Sequence, residues 1–167
     1  MAIALFIGRF QPLHKGHIAV IRNLIKKYDK VIVGIGSAEK SRTKTNPFTA
    51  DERRVMLEIV FGKEINEGKI EVVKIEDKPS DEEWANEIIS KYQFDEVVTG
   101  SDWIAKCFEG KKPVKKIKLR KGEVLNGTNI RRLMSEGNKE WEKLVDKKVA
   151  NYIKELALKE FINSLPS

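Results

Sequence analysis

The only two histidines of this 167-residue chain, His14 and His17, stand three residues apart in one short stretch, Gly8-Arg9-Phe10-Gln11-Pro12-Leu13-His14-Lys15-Gly16-His17. Imidazoles at that spacing lie about one helical turn apart, so both can face one ligand. Arg9 adds a forked, permanently charged donor suited to phosphate oxygens. Gly16 lets the backbone come close to a bulky anion. A helix opening here would present unpaired N–H groups and the positive end of its dipole. The chemistry this pattern suits is the holding of a polyphosphate, with imidazole donors stabilising charge on phosphoryl oxygens and on a departing pyrophosphate. A base is less necessary, because a phosphate monoester dianion is already a competent nucleophile at neutral pH. Either histidine alone reads as a surface or satisfied core residue; their pairing after Gly-Arg and before a helix favours function.

A second anion site is expected at Asn126-Gly127-Thr128-Asn129-Ile130-Arg131-Arg132. There Thr128 reads as the N-cap of a helix, with Arg131 in its first turn. The plain alternative is an ordinary capped helix with a solvent-facing arginine.

These residues need a scaffold, and the chain supplies one by alternation. Residues 2–7, 30–35, 70–75, 95–99 and 114–119 form strand-like runs, mostly apolar and β-branched. Between them, residues 15–28 carry an apolar stripe of Ile18, Ile21, Leu24 and Ile25. Thr49 and Glu52 form a capping-box pattern that opens a helix through Phe61, and Ser80 with Glu83 repeat it before Trp84, Ile88 and Ile89. Residues 128–136, 139–145 and 147–164 read as helical. The pattern predicts an α/β fold, a doubly wound parallel sheet with right-handed crossovers. It also predicts a single domain over residues 1–167, with residues 128–164 a helical C-terminal part packed on the same core. Ligands of such sheets bind beyond the carboxyl ends of the strands. The loops expected there are 8–16, 36–47, 76–80 and 100–103.

Composition excludes more than it selects. The formal net charge of +7 invites a nucleic-acid reading. The basic residues are spread over the whole chain, however, and the densest stretch, 111–121, alternates with Pro113, Val114, Ile117 and Leu119 like a strand with one wet face. A solvated lysine-rich surface is therefore favoured, and nucleic acid is not expected as a partner. The single cysteine, Cys107, reads as a packed thiol. No apolar run approaches the roughly 18 residues needed to span a bilayer, and the first residues lack a signal-peptide pattern, so the expected location is cytoplasmic. There is no Gly-x-Gly-x-x-Gly after the first strand and no Gly-Lys-Ser/Thr phosphate loop. Two histidines and no cysteine cluster argue against structural zinc. A metal would be magnesium brought in by a nucleotide and held by its phosphates.

The first motif, Gly8-Arg9-Phe10-Gln11-Pro12 with His14-Lys15-Gly16-His17, resembles the signature of the His-x-Gly-His nucleotidylyltransferase superfamily, shared with class I aminoacyl-tRNA synthetases. Gly36-Ser37-Ala38-Glu39-Lys40-Ser41, Asn46-Pro47-Phe48-Thr49-Ala50, Glu52-Arg53 and Gly127–Arg132 are more narrowly similar to archaeal-type nicotinamide mononucleotide (NMN) adenylyltransferases, over residues 3 to 153. The resemblance implies a Rossmann-like nucleotidylyltransferase fold and the conversion of ATP and NMN to NAD and pyrophosphate, with magnesium. It implies that Arg9, His14, His17 and Arg131 clamp the triphosphate, and that Gly8, Phe10, Thr128 and Gly100 complete the ATP site. Ser37, Asp77, Asp81 and Trp84 would hold NMN, with Trp84 stacking on the nicotinamide ring or, as the alternative, filling the core. Self-assembly, often into hexamers, is a further implication. Four positions depart from the family pattern: Arg42 for His, Asp81 for Asn, Ser101 for Asn and Asn126 for Ser. An ionised Asp81 beside the ring would favour NMN over nicotinate mononucleotide. Other acceptors (phosphopantetheine, flavin mononucleotide or a polyol phosphate) are the runner-up within enzymes, and a non-catalytic nucleotide- or RNA-binding module is the alternative outside them.

Overall fold

A computed structural model describes residues 1–118 and 124–156. In chain order the elements are β1 (Ile3–Gly8), α1 (Lys15–Lys27), β2 (Lys30–Ile35), α2 (Ala50–Asn66), β3 (Ile70–Lys74), α3 (Asp81–Lys91), β4 (Glu96–Thr99), α4 (Asp102–Phe108), β5 (Val114–Lys116), α5 (Gly127–Ser135), a 3-10 helix (Lys139–Leu144) and α6 (Lys147–Glu155). All the strand pairs are parallel, in the order β3-β2-β1-β4-β5. The order reverses direction between β1 and β4, which places a crevice at the carboxyl ends of those two neighbours.

Period-two alternation along the strands sorts the core into two layers. Ala4 and Phe6 of β1 join Val31, Val33 and Ile35 of β2 in one buried cluster, covered by Ile21 and Leu24 of α1 and Met56 and Leu57 of α2. Ile3, Leu5 and Ile7 face the other way, with Val97 of β4, and are covered by Trp84 and Ile88 of α3 and Ile104, Cys107 and Phe108 of α4. Helices thus cover both faces, as a doubly wound sheet requires. The C-terminal helices bury Ile130, Leu133, Met134, Trp141, Val149 and Ile153 in the first of these layers. Among the described residues, no helix is long and apolar enough to cross a membrane.

The differences from the sequence expectation are local. Helix α2 does not stop at Phe61 but runs to Asn66, with Phe61 itself non-helical at φ −118° and ψ 21°. The helical pattern breaks there because the buried Phe61 ring and the following Gly62 mark a kink, past which the chain resumes its turn. The stretch after Asn138 winds as a 3-10 helix. The sheet takes Val114–Lys116 of the strand expected over 114–119, and Ile117 adds one bond to the Thr99 carbonyl at 2.9 Å. Leu119 and residues 157–164 of the expected last helix lie outside the described residues.

Candidate active site

The turn after β1 is built from side chains that cap a helix. His14 is the N-cap of α1, in extended backbone, and its Nδ1 accepts from the N–H groups of Gly16 at 3.0 Å and His17 at 3.4 Å. His17 reciprocates, its Nδ1 accepting from the His14 N–H at 3.2 Å. This is a capping box made of two imidazoles, a use of the motif that its spacing alone does not disclose. The rings stack, with centroids 3.7 Å apart and planes 23° apart, and the edge of Phe10 meets His17 at 4.7 Å. With both Nδ1 atoms accepting, each neutral ring carries its proton on Nε2, and that N–H is what it presents to a ligand. Burial and the neighbouring Arg131 lower the His14 pKa to about 4. Burial and the adjacent His14 ring hold His17 well below the usual imidazole range. At neutral pH the pair is a set of uncharged donors.

Gly16 is required by this arrangement: a Cβ there would lie 2.9 Å from His14 Cε1. Gly127 plays the same part for the second motif. Arg131 is buried, and its guanidinium donates to the Gln11 carbonyl at 2.9 Å and to Thr128 Oγ1 at 3.2 Å. A Cβ on Gly127 would fall 2.6 Å from Arg131 Nη1, so only glycine leaves the guanidinium its place. Burial, then the charge of Arg9, lowers the Arg131 pKa to about 10, which leaves it a cation at neutral pH. The plain alternative of a solvent-facing arginine is therefore set aside, while the reading of Arg131 near the start of this helix stands as to place. Thr128 as N-cap is set aside too: Asn126 caps α5, taking the Asn129 N–H at 2.8 Å, and Thr128 sits inside the first turn. Gly127→Ala is expected to displace Arg131, lowering kcat/KM about 10- to 100-fold while the melting temperature moves by only a few degrees. Steady-state kinetics set beside a thermal melt checks this.

Loops 8–16 and 36–47 are locked together. Gln11, buried, donates to the Phe48 carbonyl at 3.0 Å and accepts from the Phe48 N–H at 2.9 Å. Thr49 and Glu52 complete the expected capping box at α2, and Glu52 also takes a two-pronged pair from Arg42 at 2.7 Å. Arg9 is exposed and reaches Asn46 Oδ1 at 3.3 Å.

Beside Arg9 opens a cavity of about 550 Å³, lined from the ends of β1 to β4. Gly8 and Arg9 come from the first loop, Ser37 and Lys40 from the second, Asp77, Lys78, Ser80 and Asp81 from the third, and Ser101 from the fourth. Asp77 accepts from Ser37 Oγ at 3.0 Å and pairs with Lys40 at 3.0 Å. Asp81 is exposed at the first turn of α3, where Ser80 supplies the cap. Trp84 and Trp103 also line the cavity. All the loops expected beyond the strand ends thus meet here. The structure divides the predicted residues into two neighbouring groups, with Arg9 on the border. His14, His17, Thr128 and Arg131 lie to one side, outside the cavity lining, and Ser37, Asp77, Asp81 and Trp84 lie inside it. Gly100 occupies the turn from β4 to α4. Among the described residues, no group of three or more His, Cys, Asp or Glu could hold a metal ion. The donors around His14 and Arg131 suit phosphate oxygens, which would themselves carry a divalent cation.

Sequence reasoning missed Trp103, Lys40 and Lys78 as lining residues, and it missed the role of Arg53. That side chain, fully buried, sends its donors to the carbonyls of Arg9, Gly36, Ser37, Lys40 and Thr49.

A cytidylyltransferase-like family model matches residues 5–163. Nicotinamide-nucleotide adenylyltransferases of Thermococcus kodakarensis and Methanosarcina mazei are 39% and 41% identical, covering 96% and 92% of this chain and 87% and 88% of theirs. The chain belongs to the cytidylyltransferase-like family, among the archaeal nicotinamide-nucleotide adenylyltransferases. The fold recurs in a bifunctional NMN adenylyltransferase/ADP ribose pyrophosphatase from Francisella tularensis, solved in complex with AMP and a manganese ion, at a TM-score of 0.79 and 23% identity. That match covers 98% of this chain and 51% of the longer one. Local geometry accounts for two of the departures from the pattern that the sequence resembles. Asn126 and Ser101 are both N-caps, the latter taking the Ile104 N–H at 3.2 Å, and Asn and Ser are interchangeable in that task.

Proposed function

We propose that this protein transfers the adenylyl group of ATP to NMN, giving NAD and pyrophosphate. The observation that carries the reading is the junction at Arg9 of a donor-rich phosphate turn with a 550 Å³ cavity holding aromatic and acidic side chains. The triphosphate lies against Arg9, His14, His17 and Arg131, with Thr128 supporting Arg131, Gly8 and Phe10 shaping the turn, and Gly100 near the adenosine. NMN occupies the cavity beside Ser37, Asp77, Asp81 and Trp84. A phosphate oxygen of NMN attacks the α-phosphorus in line, the bond from that phosphorus to the β-phosphate oxygen breaks, and pyrophosphate leaves. No covalent enzyme intermediate forms and no proton has to be abstracted. Catalysis comes from orientation and from donors fixed before the charge develops. Magnesium, held by the phosphate oxygens, would neutralise part of their charge.

The acceptor amide is favoured over the acid. Asp77 and Asp81 bring two carboxylates to the cavity, of which Asp77 is engaged with Lys40 and Ser37 while Asp81 stands exposed. A cationic pyridinium with a neutral carboxamide suits that field, and a second carboxylate does not. The test is pyrophosphate release from ATP across a panel of NMN, nicotinate mononucleotide, phosphopantetheine and flavin mononucleotide. NMN should give the highest kcat/KM, and His17→Ala should lower it at least 100-fold. Asp81→Asn should narrow the preference for amide over acid about five- to tenfold, the modest size reflecting solvent screening of an exposed carboxylate. Pyrophosphate release with none of the acceptors would refute the assignment, and comparable turnover of the acid by the unmodified enzyme would refute the role of Asp81.

A further inference from the structure

Arg9 stands in a crowd of like charges. Burial, and after it the charge of Arg9, lowers the pKa of both Arg53 and Arg131, so three guanidiniums repel one another around the turn. Arg53 and Arg131 are buried and tied to backbone carbonyls. Arg9 is exposed, and repulsion alone would swing it out into water. What it meets instead is Asn46, whose Oδ1 accepts from Arg9 Nη1 at 3.3 Å. Asn46 is 7% exposed, and its amide holds the guanidinium without cancelling the charge. The amide is held in its turn. The Asn46 N–H donates to Thr43 Oγ1 at 3.0 Å, and the Asn46 carbonyl accepts from the Thr43 N–H at 3.2 Å. The Arg42 N–H closes the loop on the Pro47 carbonyl at 3.2 Å.

The base of that loop is clamped to α2. Arg42, in left-handed backbone at φ 59°, sends Nη1 to the Pro47 carbonyl at 2.8 Å and to Glu52 Oε1 at 2.7 Å. Its Nη2 donates to Glu52 Oε2 at 2.7 Å. Glu52 also takes the Thr49 N–H at 2.9 Å, and its side chain is 14% exposed. A two-pronged guanidinium–carboxylate pair with one member largely out of water is a rigid joint. None of Arg42, Asn46 and Glu52 lines the acceptor cavity. We propose that the Arg42–Glu52 clamp and Asn46 are positioning residues for Arg9, aiming its guanidinium at the triphosphate while leaving its charge whole. The inference rests on the reading that Arg9 grips ATP, and it adds residues that act through Arg9 and touch no substrate. An arginine already aimed loses less freedom when the nucleotide arrives.

The experiment varies ATP at saturating NMN, and NMN at saturating ATP, in Arg42→Asn, Asn46→Ala and Arg9→Ala. Each of the first two is also combined with Arg9→Ala. Asparagine suits the left-handed backbone at position 42, so Arg42→Asn removes the clamp without adding strain. Arg42→Asn and Asn46→Ala are each expected to raise KM for ATP about five- to tenfold, with KM for NMN within about twofold. Arg42→Lys, which can pair with Glu52 but cannot fork across both its oxygens, should fall between. In the Arg9→Ala background both substitutions should add less than about twofold, because the side chain they aim is gone. Unchanged KM for ATP, equal losses with and without Arg9, or KM rising alike for both substrates would overturn the proposal and leave the clamp as loop support. An Arg9→Ala variant that kept the KM for ATP of the unmodified enzyme would instead remove Arg9 from the triphosphate, and the proposal would fall with that reading.

Discussion

Asparagine at position 14 should leave the fold standing and cripple adenylyl transfer, while glutamine should do the reverse. The two ring nitrogens of His14 have separate tasks, and the two amides separate them. Nδ1 caps α1 by accepting from Gly16 and His17. The Oδ1 of asparagine sits at the same remove from the backbone and can take over that cap. On the proposed reading Nε2 carries the proton offered to phosphate, and the longer glutamine can place an N–H near that point but not the acceptor near the helix. His14→Asn is therefore expected to lose about 10²- to 10³-fold in kcat, as removal of a preorganised donor does. His14→Gln should keep much of the rate and lose about 1 kcal/mol of stability. The acid limb separates them again. The folded His14 titrates at about 4 against 6.5 when free, so below 6.5 the unfolded chain takes up the proton first and stability is lost progressively down to about pH 4. That loss amounts to roughly 3 kcal/mol over the window. In His14→Asn that share should be absent, leaving the share of the buried His17, and chemical denaturation at pH 7 and pH 4.5 would register the reduced loss. A wild-type rate in His14→Asn would remove this ring from the phosphate grip.

The scaffold could be read from the chain because each strand and helix announces itself locally. Ile3, Leu5 and Ile7 alternate with Ala4 and Phe6, and the stripe on α1 repeats at helical spacing, so periodicity alone places them in their layers. The turn after β1 was equally legible as a cluster, since Arg9, His14 and His17 fall within ten residues of one another. Less could be read where two residues compete for one task. Asn126 and Thr128 can both cap a helix, and the choice depends on which adopts the extended backbone of φ −149° and ψ 157° seen at Asn126. Depth was hidden too. Arg131 and Arg53 lie on helices among many exposed cations, and nothing in their local sequence distinguishes a buried guanidinium from a solvated one. Their partners are carbonyl groups of distant loops, such as Gln11 for Arg131, 120 residues away in the chain. Trp103 falls in the loop expected at 100–103, but its 48% exposure beside the buried Ile104 is not written in the local sequence. The direction of one side chain on a short helix follows from packing, not from composition.

The largest loss of stability is expected from Arg53→Met. Its guanidinium donates to the carbonyls of Arg9 at 2.9 Å, Gly36 at 2.7 Å, Ser37 at 3.2 Å, Lys40 at 3.3 Å and Thr49 at 3.1 Å. The charge is balanced by carbonyl dipoles and not by a contacting carboxylate. Burial lowers its pKa to about 10, so it remains charged at neutral pH. These bonds fall beside backbone that resists its own conformation. Phe10, Ser37 and Arg42 hold positive φ values of 52°, 46° and 59°, and all three lie in the loops that flank the site. Left-handed backbone at such residues costs on the order of 1–3 kcal/mol apiece and persists only where neighbours enforce it. Arg53 holds the Arg9 carbonyl, in the peptide bond that leads into Phe10, and the carbonyl of Ser37 itself. Methionine fills much of the volume but donates to none of them, stranding buried acceptors while the strain remains. A loss of about 3–5 kcal/mol follows, or some 10 °C in melting temperature for a domain of this size. Arg53→Lys keeps the charge but cannot span carbonyls on both loops, and should lose about half as much. Because the loops that relax carry Arg9 and Ser37, activity should fall with stability even at temperatures where the variant remains folded. A melting temperature within two degrees of the unmodified protein would mean that the strained turns are held by Gln11 and the Arg42–Glu52 pair, with Arg53 redundant.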